Sequence, residues 1–129
     1  MSCSSEVRKR DEFFVEGNES LGNGRFKEAI EYYDNALKAD PSYAPALNNR
    51  GVAKIEKGDP YAAILDYNSA LTLEPNYEDC LLNRAYAYEF IGQYSNAIRD
   101  IDALLSSSPD SAYYHFYKGL VLTKQRDYQ

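Results

Sequence analysis

Few residues in this sequence have the type and spacing that catalysis or metal binding requires. His115 is the only histidine, and Cys80 has no histidine at a matching helical position, so neither a general base nor a thiolate pair is indicated. Asp100 and Asp102 lie on different faces of one predicted helix, and we interpret them as solvated charges. Zinc-ligand spacing and a glycine-rich phosphate loop are both absent. The residues predict no enzyme activity, no metal and no cofactor.

Two asparagines, Asn49 and Asn83, lie 34 residues apart. A side-chain amide both donates and accepts hydrogen bonds, so amides at one repeated position could hold a peptide backbone without reading its sequence. The sequence leaves open the alternative that asparagine simply recurs at this position.

An internal repeat of 34 residues positions these side chains. It relates Pro41, Pro75 and Pro109, which come after helical segments and prevent their continuation. The glycines of the repeat mark turns between helices, and its alanines allow two helices to approach closely. Further columns keep the same register: Ala29, Ala63 and Ala97; Gly24, Gly58 and Gly92; Ile30, Ile64 and Ile98; Leu37, Leu71 and Leu105; Gly17 and Gly51.

Between these marks, apolar residues recur every three or four positions, which indicates amphipathic helices. The sequence predicts seven helices at about 5–22, 26–39, 44–57, 60–73, 78–91, 94–107 and 112–125. A pair of helices cannot bury its apolar face alone, so we expect the pairs to stack in a right-handed superhelix. The predicted fold class is all-α, a single-domain solenoid of antiparallel helix pairs.

The pattern resembles the tetratricopeptide-repeat (TPR) family over residues 10–129, with an aromatic, a small residue, alanine, an aromatic, alanine and proline at fixed offsets. The first repeat carries it as Phe13, Gly17, Ala29, Tyr33, Ala36 and Pro41, and the second as Leu47, Gly51, Ala63, Tyr67, Ala70 and Pro75. The third departs from it at Ala85, Ile101 and Leu104. The resemblance divides the chain into an N-terminal extension at 1–9, repeats at 10–43, 44–77 and 78–111, and the first helix of an incomplete fourth repeat at 112–129.

The resemblance implies that the first helices of the repeats line a concave surface that binds a peptide or a partner helix. It assigns eight residues to that surface: Phe14, Asn18, Asn49, Val52, Asn83, Tyr86, Phe90 and Tyr117. Tyr113 and Phe116 extend its aromatic part, and aromatic side chains are typical binding anchors. An equally open alternative is that several of these rings fill the interior. His115 shares its repeat position with Phe13, Leu47 and Leu81, so we expect it to be buried between helices.

The tripeptides Asn49-Arg50-Gly51 and Asn83-Arg84-Ala85 are similar to those of co-chaperone TPR domains. Those domains bind the acidic C-terminal tails of heat-shock chaperones through two lysines, one arginine and two asparagines. Asn18 and Asn49 match the two asparagine places of this carboxylate clamp. The cationic places hold Phe14, Asp79 and Asn83. We therefore expect weak or no binding of an acidic tail.

Charge and hydropathy narrow the class of partner. The net charge of -6 and the pI of about 4.8 argue against nucleic acid and against an anionic membrane surface. Apolar runs long enough to span a bilayer are missing, and a chain with two cysteines and no signal sequence indicates a cytoplasmic protein. We predict a non-catalytic module that binds a protein or peptide, as an adaptor or co-chaperone-like domain.

Two alternatives remain open. One is an N-terminal interaction or regulatory domain of a larger enzyme, favoured by the break inside the fourth repeat at 126–129. The other is a self-association domain, because the last predicted helix is apolar nearly all round. Tyr114, Tyr117 and Val121 would form a homodimer contact about a two-fold axis, unless this helix frays and the chain stays monomeric.

Overall fold

The computed structural model describes residues 3–128, with side chains from Ser4 onward. Met1, Ser2 and Gln129, which belong to the predicted N-terminal extension and fourth repeat, lie outside the described residues. Within this range the chain is all-α, with seven helices and no strand: α1 (Cys3–Gly22), α2 (Phe26–Ala39), α3 (Ala44–Glu56), α4 (Pro60–Leu73), α5 (Glu78–Phe90), α6 (Tyr94–Ser107) and α7 (Ala112–Asp127). Every end lies within two residues of its prediction, which confirms the all-α helical-repeat fold.

The helices belong to two compact units. Unit 1 ends at Pro75 and contains α1 to α4, and unit 2 begins at Asn76 and contains α5 to α7. The right-handed superhelix, the single domain and the repeat boundaries at 10, 44, 78 and 112 stay predictions.

The glycines of the repeat end the first helix of each pair. Gly24, Gly58 and Gly92 have φ angles of 75°, 97° and 79°, in the left-handed region that a side chain rarely adopts. The turn after Gly58 leads directly into α4, where the Asp59 carboxylate accepts a hydrogen bond of 3.1 Å from the backbone N–H of Ala62. The turn chemistry of the sequence therefore fixes where each helix pair reverses.

Small residues set the distance between paired helices in unit 1. A Cβ atom added at Gly17 would lie 2.5 Å from Tyr33 Cε1, and one added at Gly51 would lie 2.5 Å from Tyr67 Cε1. Both rings are completely buried. The glycine and the aromatic ring sixteen residues later therefore form one packing unit, in which the ring occupies the space that a side chain would take.

Unit 2 uses a different pair at the same repeat positions. Ala85 and Ile101 stand there, and both are completely buried in the core cluster of this unit. A methyl group and a branched aliphatic side chain replace the glycine and the ring. This explains the two departures from the repeat pattern at these positions as a matched exchange of volume.

Buried ion pairs join the two helices of a pair in each unit. In unit 1, Arg50 donates two hydrogen bonds to Asp66, at 2.9 Å and 2.8 Å, and a third of 2.8 Å to Asp34. In unit 2, Arg84 donates two to Asp100, at 2.8 Å and 2.6 Å. Asp100 is only 2% exposed, so its interpretation as a solvated charge is wrong.

The prediction for His115 is also wrong, because its side chain is exposed. Its Nε2 lies 2.7 Å from the carbonyl oxygen of Pro109 and donates to it. The matching residues Leu47 and Leu81 are buried, each in a first helix that is followed by its second helix. Among the described residues no helix follows α7, so this side of α7 is uncovered.

Candidate functional site

The first helices of unit 1 carry a network of side-chain amides. Asn18 Oδ1 accepts two hydrogen bonds, one of 2.7 Å from Tyr33 Oη and one of 2.8 Å from Asn49 Nδ2. Asn48 Nδ2 donates a further bond of 3.1 Å to Asn49 Oδ1. The structure thus brings Asn18 and Asn49 together and ties both to the buried ring of Tyr33. We call this set, with Asn48, the amide network.

The two apolar site residues predicted in unit 1 lie in different surroundings. Phe14 is half-buried, and its ring packs edge-on against Tyr43 at 5.1 Å and against Tyr33 at 6.0 Å. It therefore belongs largely to the core of unit 1. Val52 is half-buried on α3 and follows the amide network by one helical turn.

In unit 2, tyrosines take the place of the amides. The hydroxyl groups of Tyr86 and Tyr113 are hydrogen-bonded to each other. The ring of Tyr117 lies 5.0 Å from that of Tyr86 and is stacked on that of Tyr113 at 6.3 Å. Tyr117 Oη donates a hydrogen bond of 3.3 Å to Glu89, which also binds Lys124 Nζ at 3.0 Å. Tyr117 is only 5% exposed, so it packs beneath the more exposed rings of Tyr86 and Tyr113 and does not itself line the surface as the sequence predicted.

Large apolar side chains remain exposed around this cluster. Phe90 is 78% exposed and Phe116 is 65% exposed, and Tyr113, Leu120 and Tyr86 are between 37% and 50% exposed. We call these five residues of α5 and α7 the aromatic face. Asn83 lies half-buried one turn before Tyr86 on the same side of α5.

The residues predicted for self-association lie elsewhere than expected. Tyr117 is 5% exposed and Val121 is 0% exposed, and both belong to the core cluster of unit 2. Tyr114 is half-buried and packs against that core. Because Tyr117 and Val121 are buried against the neighbouring helices of their own unit, they cannot form the proposed contact surface, whereas the role of the half-buried Tyr114 stays a prediction. The exposed apolar residues of α7 are Tyr113, Phe116, Leu120 and Leu122.

Three tyrosine hydroxyl groups of these sites and the thiol of Cys80 remain neutral at physiological pH. Burial raises the pKa of Tyr33 to about 12, and it also raises the pKa of Tyr86 and of Tyr117. Their hydroxyl groups therefore act as hydrogen-bond donors. Burial likewise raises the pKa of the Cys80 thiol to about 12, which leaves it a poor nucleophile.

Basic side chains of α3, α5 and α7 are paired with carboxylates. Their ion pairs are Arg50 with Asp34 and Asp66, Lys54 with Asp66, Arg84 with Asp100, Lys118 with Asp102, and Lys124 with Glu89. Sequence reasoning missed these pairs. The signal that could have found the buried ones is the repeat itself, since Arg50 and Arg84, and Asp66 and Asp100, lie 34 residues apart.

The described part of the chain, residues 3–128, contains neither a metal-binding group nor a membrane-spanning helix. Among these residues there is no group of three histidine, cysteine or carboxylate side chains arranged to hold a metal ion. In the same range no helix is long and apolar enough to cross a lipid bilayer.

The family model of the tetratricopeptide repeat matches residues 14–78 and 82–129. The chain belongs to the tetratricopeptide-repeat family. A comparison of this TPR chain with curated proteins finds no match.

Solved TPR structures resemble it over most of its length. The first TPR domain of Spaghetti (RPAP3), bound to the HSP90 peptide SRMEEVD, is 22% identical, with a TM-score of 0.85 over 90% of this chain and 92% of that chain. The TPR2B domain of yeast Sti1, in complex with pHsp70, is 22% identical, with a TM-score of 0.81 over 95% and 99%. Yeast Tom70 is 27% identical, with a TM-score of 0.84 over 94% of this chain and 25% of that chain. The first two likenesses show the fold alone.

Proposed function

We propose that the chain is a non-catalytic protein-interaction module, which holds a peptide or helix of a partner protein against the first helices of its repeats. The observation that carries this proposal is the aromatic face of unit 2. Soluble proteins rarely leave a contiguous group of large apolar side chains exposed unless a partner covers it. The TPR domains of RPAP3 and Sti1 have been solved with HSP90 and Hsp70 peptides, which supports peptide binding as the mode.

The amide network of unit 1 is a candidate peptide site in its own right. An asparagine oxygen has two lone pairs, so Asn49 Oδ1 retains one beyond the bond that it accepts from Asn48, while its amide hydrogens are directed to Asn18 and Tyr33. This lone pair can accept a hydrogen bond from the backbone of an extended peptide. Val52 would contact the peptide one turn further along α3.

The proposed partner differs from the acidic chaperone tails that the RPAP3 domain binds. Phe14, Asp79 and Asn83 hold the three cationic places of the clamp, and the nearby Arg84 is paired with Asp100. A charge-assisted hydrogen bond contributes about 1.5–3 kcal/mol, so loss of three such donors removes most of the affinity for a terminal carboxylate. We expect a calorimetric titration with SRMEEVD to show weak or no binding. Micromolar affinity that depends on the terminal carboxylate would contradict this.

A peptide selection tests the proposed function. The immobilised chain is offered a phage-displayed library of random 12-residue peptides, and enriched sequences are synthesised and titrated. We expect enrichment, and we expect Phe90→Ser to weaken the selected peptides by about 2 kcal/mol, the loss typical of an aromatic anchor.

The control variant is Leu65→Ser, which removes an equally exposed apolar side chain from α4, a second helix of its pair. It should leave the affinity unchanged. The proposal fails if no sequence is enriched, or if the two variants weaken binding equally.

The location and context of the module follow as further proposals. We propose that it acts in the cytoplasm, as an adaptor or co-chaperone-like domain. The alternative is an interaction domain of a larger enzyme. The segment of Tom70 that resembles this chain is one part of a longer polypeptide.

A second candidate function is self-association through α7. Phe116, Leu120 and Leu122 are exposed there, and no atom outside the helix lies within 4 Å of a Cβ added at Gly119. A helix of a second copy can therefore approach this side of α7 closely. Sedimentation at tens of micromolar should then show a dimer that Leu122→Glu dissociates. A monomer with α7 intact would exclude this candidate.

A further inference from the structure

We infer that the aromatic face of unit 2 binds a basic, apolar segment of a partner protein, which places large apolar side chains on Phe90 and Phe116 and a lysine or arginine near Asp79. This inference rests on the proposed function and names the chemical class of its ligand. The proposed ligand is basic, whereas the chaperone tails discussed above are acidic.

The apolar requirement follows from the exposed rings. Phe90 and Phe116 together offer two phenyl rings that are 78% and 65% exposed, beside a tyrosine cluster whose hydroxyl groups already bond to one another and to Glu89. A partner that covers this surface must itself be apolar, because it would otherwise lose its hydrogen bonds to water without replacement.

The basic requirement follows from the arrangement of charge on α5. Asp79, Asn83, Tyr86 and Phe90 are spaced by four, three and four residues, so they lie along one side of the helix. Asp79 is exposed at the beginning of this stripe, and Glu78 precedes it. Both carboxylates also act on α7. Burial is the largest cause of the raised pKa of Tyr114, and the negative charges of Glu78 and Asp79 raise it further.

Positive charge near the face is already compensated. Lys124 is paired with Glu89, Lys118 with Asp102, and Arg84 with Asp100. An incoming carboxylate would therefore meet Asp79 without a free cation. An incoming cation would meet that carboxylate and the exposed faces of aromatic rings, which also attract cations.

The test repeats the random 12-residue library selection on three proteins: the wild-type chain, Asp79→Asn and Asp79→Lys. Wild type should enrich peptides that combine lysine or arginine with leucine, isoleucine or aromatic residues. Asp79→Asn should weaken the synthesised peptides about threefold, and Asp79→Lys about tenfold, as expected for loss and reversal of an exposed charge pair. The Asp79→Lys selection should shift toward peptides with aspartate or glutamate. Circular dichroism checks that each variant folds.

The position of the bound peptide is checked by chemical-shift mapping on isotope-labelled protein, where the amides of Tyr86, Phe90 and Phe116 should move most. Enriched peptides without basic residues, or a preference that Asp79→Lys leaves unchanged, would overturn the inference while the proposed function stands. A complete lack of enrichment would overturn both.

Discussion

Units 1 and 2 present different chemistry at equivalent repeat positions. The position held by Asn18 and Val52 in the first two repeats is held by Tyr86 and Leu120 in the later ones. The position of Asn49 keeps an asparagine, Asn83, in α5 and carries Tyr117 in α7. Around these positions unit 1 offers mainly hydrogen-bonding amides, and unit 2 offers mainly aromatic rings. The comparison teaches that this scaffold fixes where a lining side chain lies and leaves its chemistry free.

The interiors of the two units differ much less. The bidentate pair of Arg50 with Asp66 recurs as Arg84 with Asp100. The glycine and ring of unit 1 are exchanged for an alanine and an isoleucine of matching bulk in unit 2. Close packing constrains the buried side chains of every repeat. The exposed side chains of the first helices are free of that constraint.

The largest expected effect comes from breaking a buried ion pair. Asp100→Ala leaves Arg84 without its bidentate carboxylate, and removing one partner of a buried pair destabilises a protein by about 3–5 kcal/mol. Urea unfolding followed by circular dichroism measures the loss. Asp102→Ala, which removes an exposed carboxylate paired with Lys118, should cost less than about 1 kcal/mol.

Asp66→Ala makes the matching change in unit 1. If the interiors of the two units are equivalent, Asp66→Ala should lower the free energy of unfolding by an amount similar to that for Asp100→Ala. A cost below about 1 kcal/mol for either variant would show that the pair is not structural.

A smaller effect is expected from the glycine and ring of unit 1. Gly51→Ala places a methyl group 2.5 Å from Tyr67 Cε1, and overpacking of this kind costs about 1–3 kcal/mol. In a Tyr67→Ile background, Gly51→Ala should leave the free energy of unfolding unchanged. Alanine and isoleucine then stand at the positions that Ala85 and Ile101 hold in unit 2. The two Gly51→Ala costs are compared by urea unfolding.

Gly119→Ala is the matched control for Gly51→Ala, since its added Cβ meets no atom within 4 Å. It should be neutral or stabilise the chain by up to about 1 kcal/mol through helix propensity. Equal costs for Gly51→Ala in both backgrounds would refute the matched exchange of volume.

Within the amide network, Asn49 should affect binding more than folding. Asn49→Ala should weaken a peptide selected on the wild-type chain by about 1–2 kcal/mol, because a buried peptide group loses its hydrogen-bond partner. Asn83→Ala should act alike on a peptide that reaches unit 2. Calorimetry gives the affinities. Unchanged affinity for both variants, with the fold intact, would show that the asparagines do not hold the ligand.

The smallest expected effect is a dependence on alkaline pH. The pKa of Tyr33 is raised from 10.0 to about 12, so the folded state disfavours its phenolate more than the unfolded state does. Tyr33 makes its full contribution to the free energy of unfolding below pH 10. That contribution falls by about 1 kcal/mol per pH unit as the pH rises toward 12. Urea unfolding at pH 9 and pH 11 measures this loss. Tyr33→Phe should reduce it, and an equal loss in that variant would assign the effect to other groups.

The helices could be predicted from the sequence because their boundaries are local. Glycine at a positive φ angle and proline after a helix act within a few residues, and the repeat supplies each signal three times. The same periodicity places Asn18, Tyr86 and Phe90 on the sides of α1 and α5 that the structure leaves exposed.

The residues that were misplaced depend on neighbours that one helix does not reveal. Asp100 appeared solvated because its partner Arg84 lies sixteen residues away on another helix. Tyr117 and Val121 lie on a helix that is apolar nearly all round, so periodicity alone cannot tell which side faces the core. His115 was assigned from its repeat position, and the helix that would bury it is absent from the described residues.

The single oxygen atom Asn18 Oδ1 has a consequence for how such a module can evolve. It binds the amide of Asn49 in the proposed site and the buried hydroxyl of Tyr33, so a substitution at Asn18 alters that proposed site and the core of unit 1 together. Phe90 is mostly surrounded by solvent, and its replacement removes little packing. In unit 2, single substitutions can therefore change the preferred partner with little loss of stability. Unit 1 requires compensating substitutions, so it should diversify more slowly.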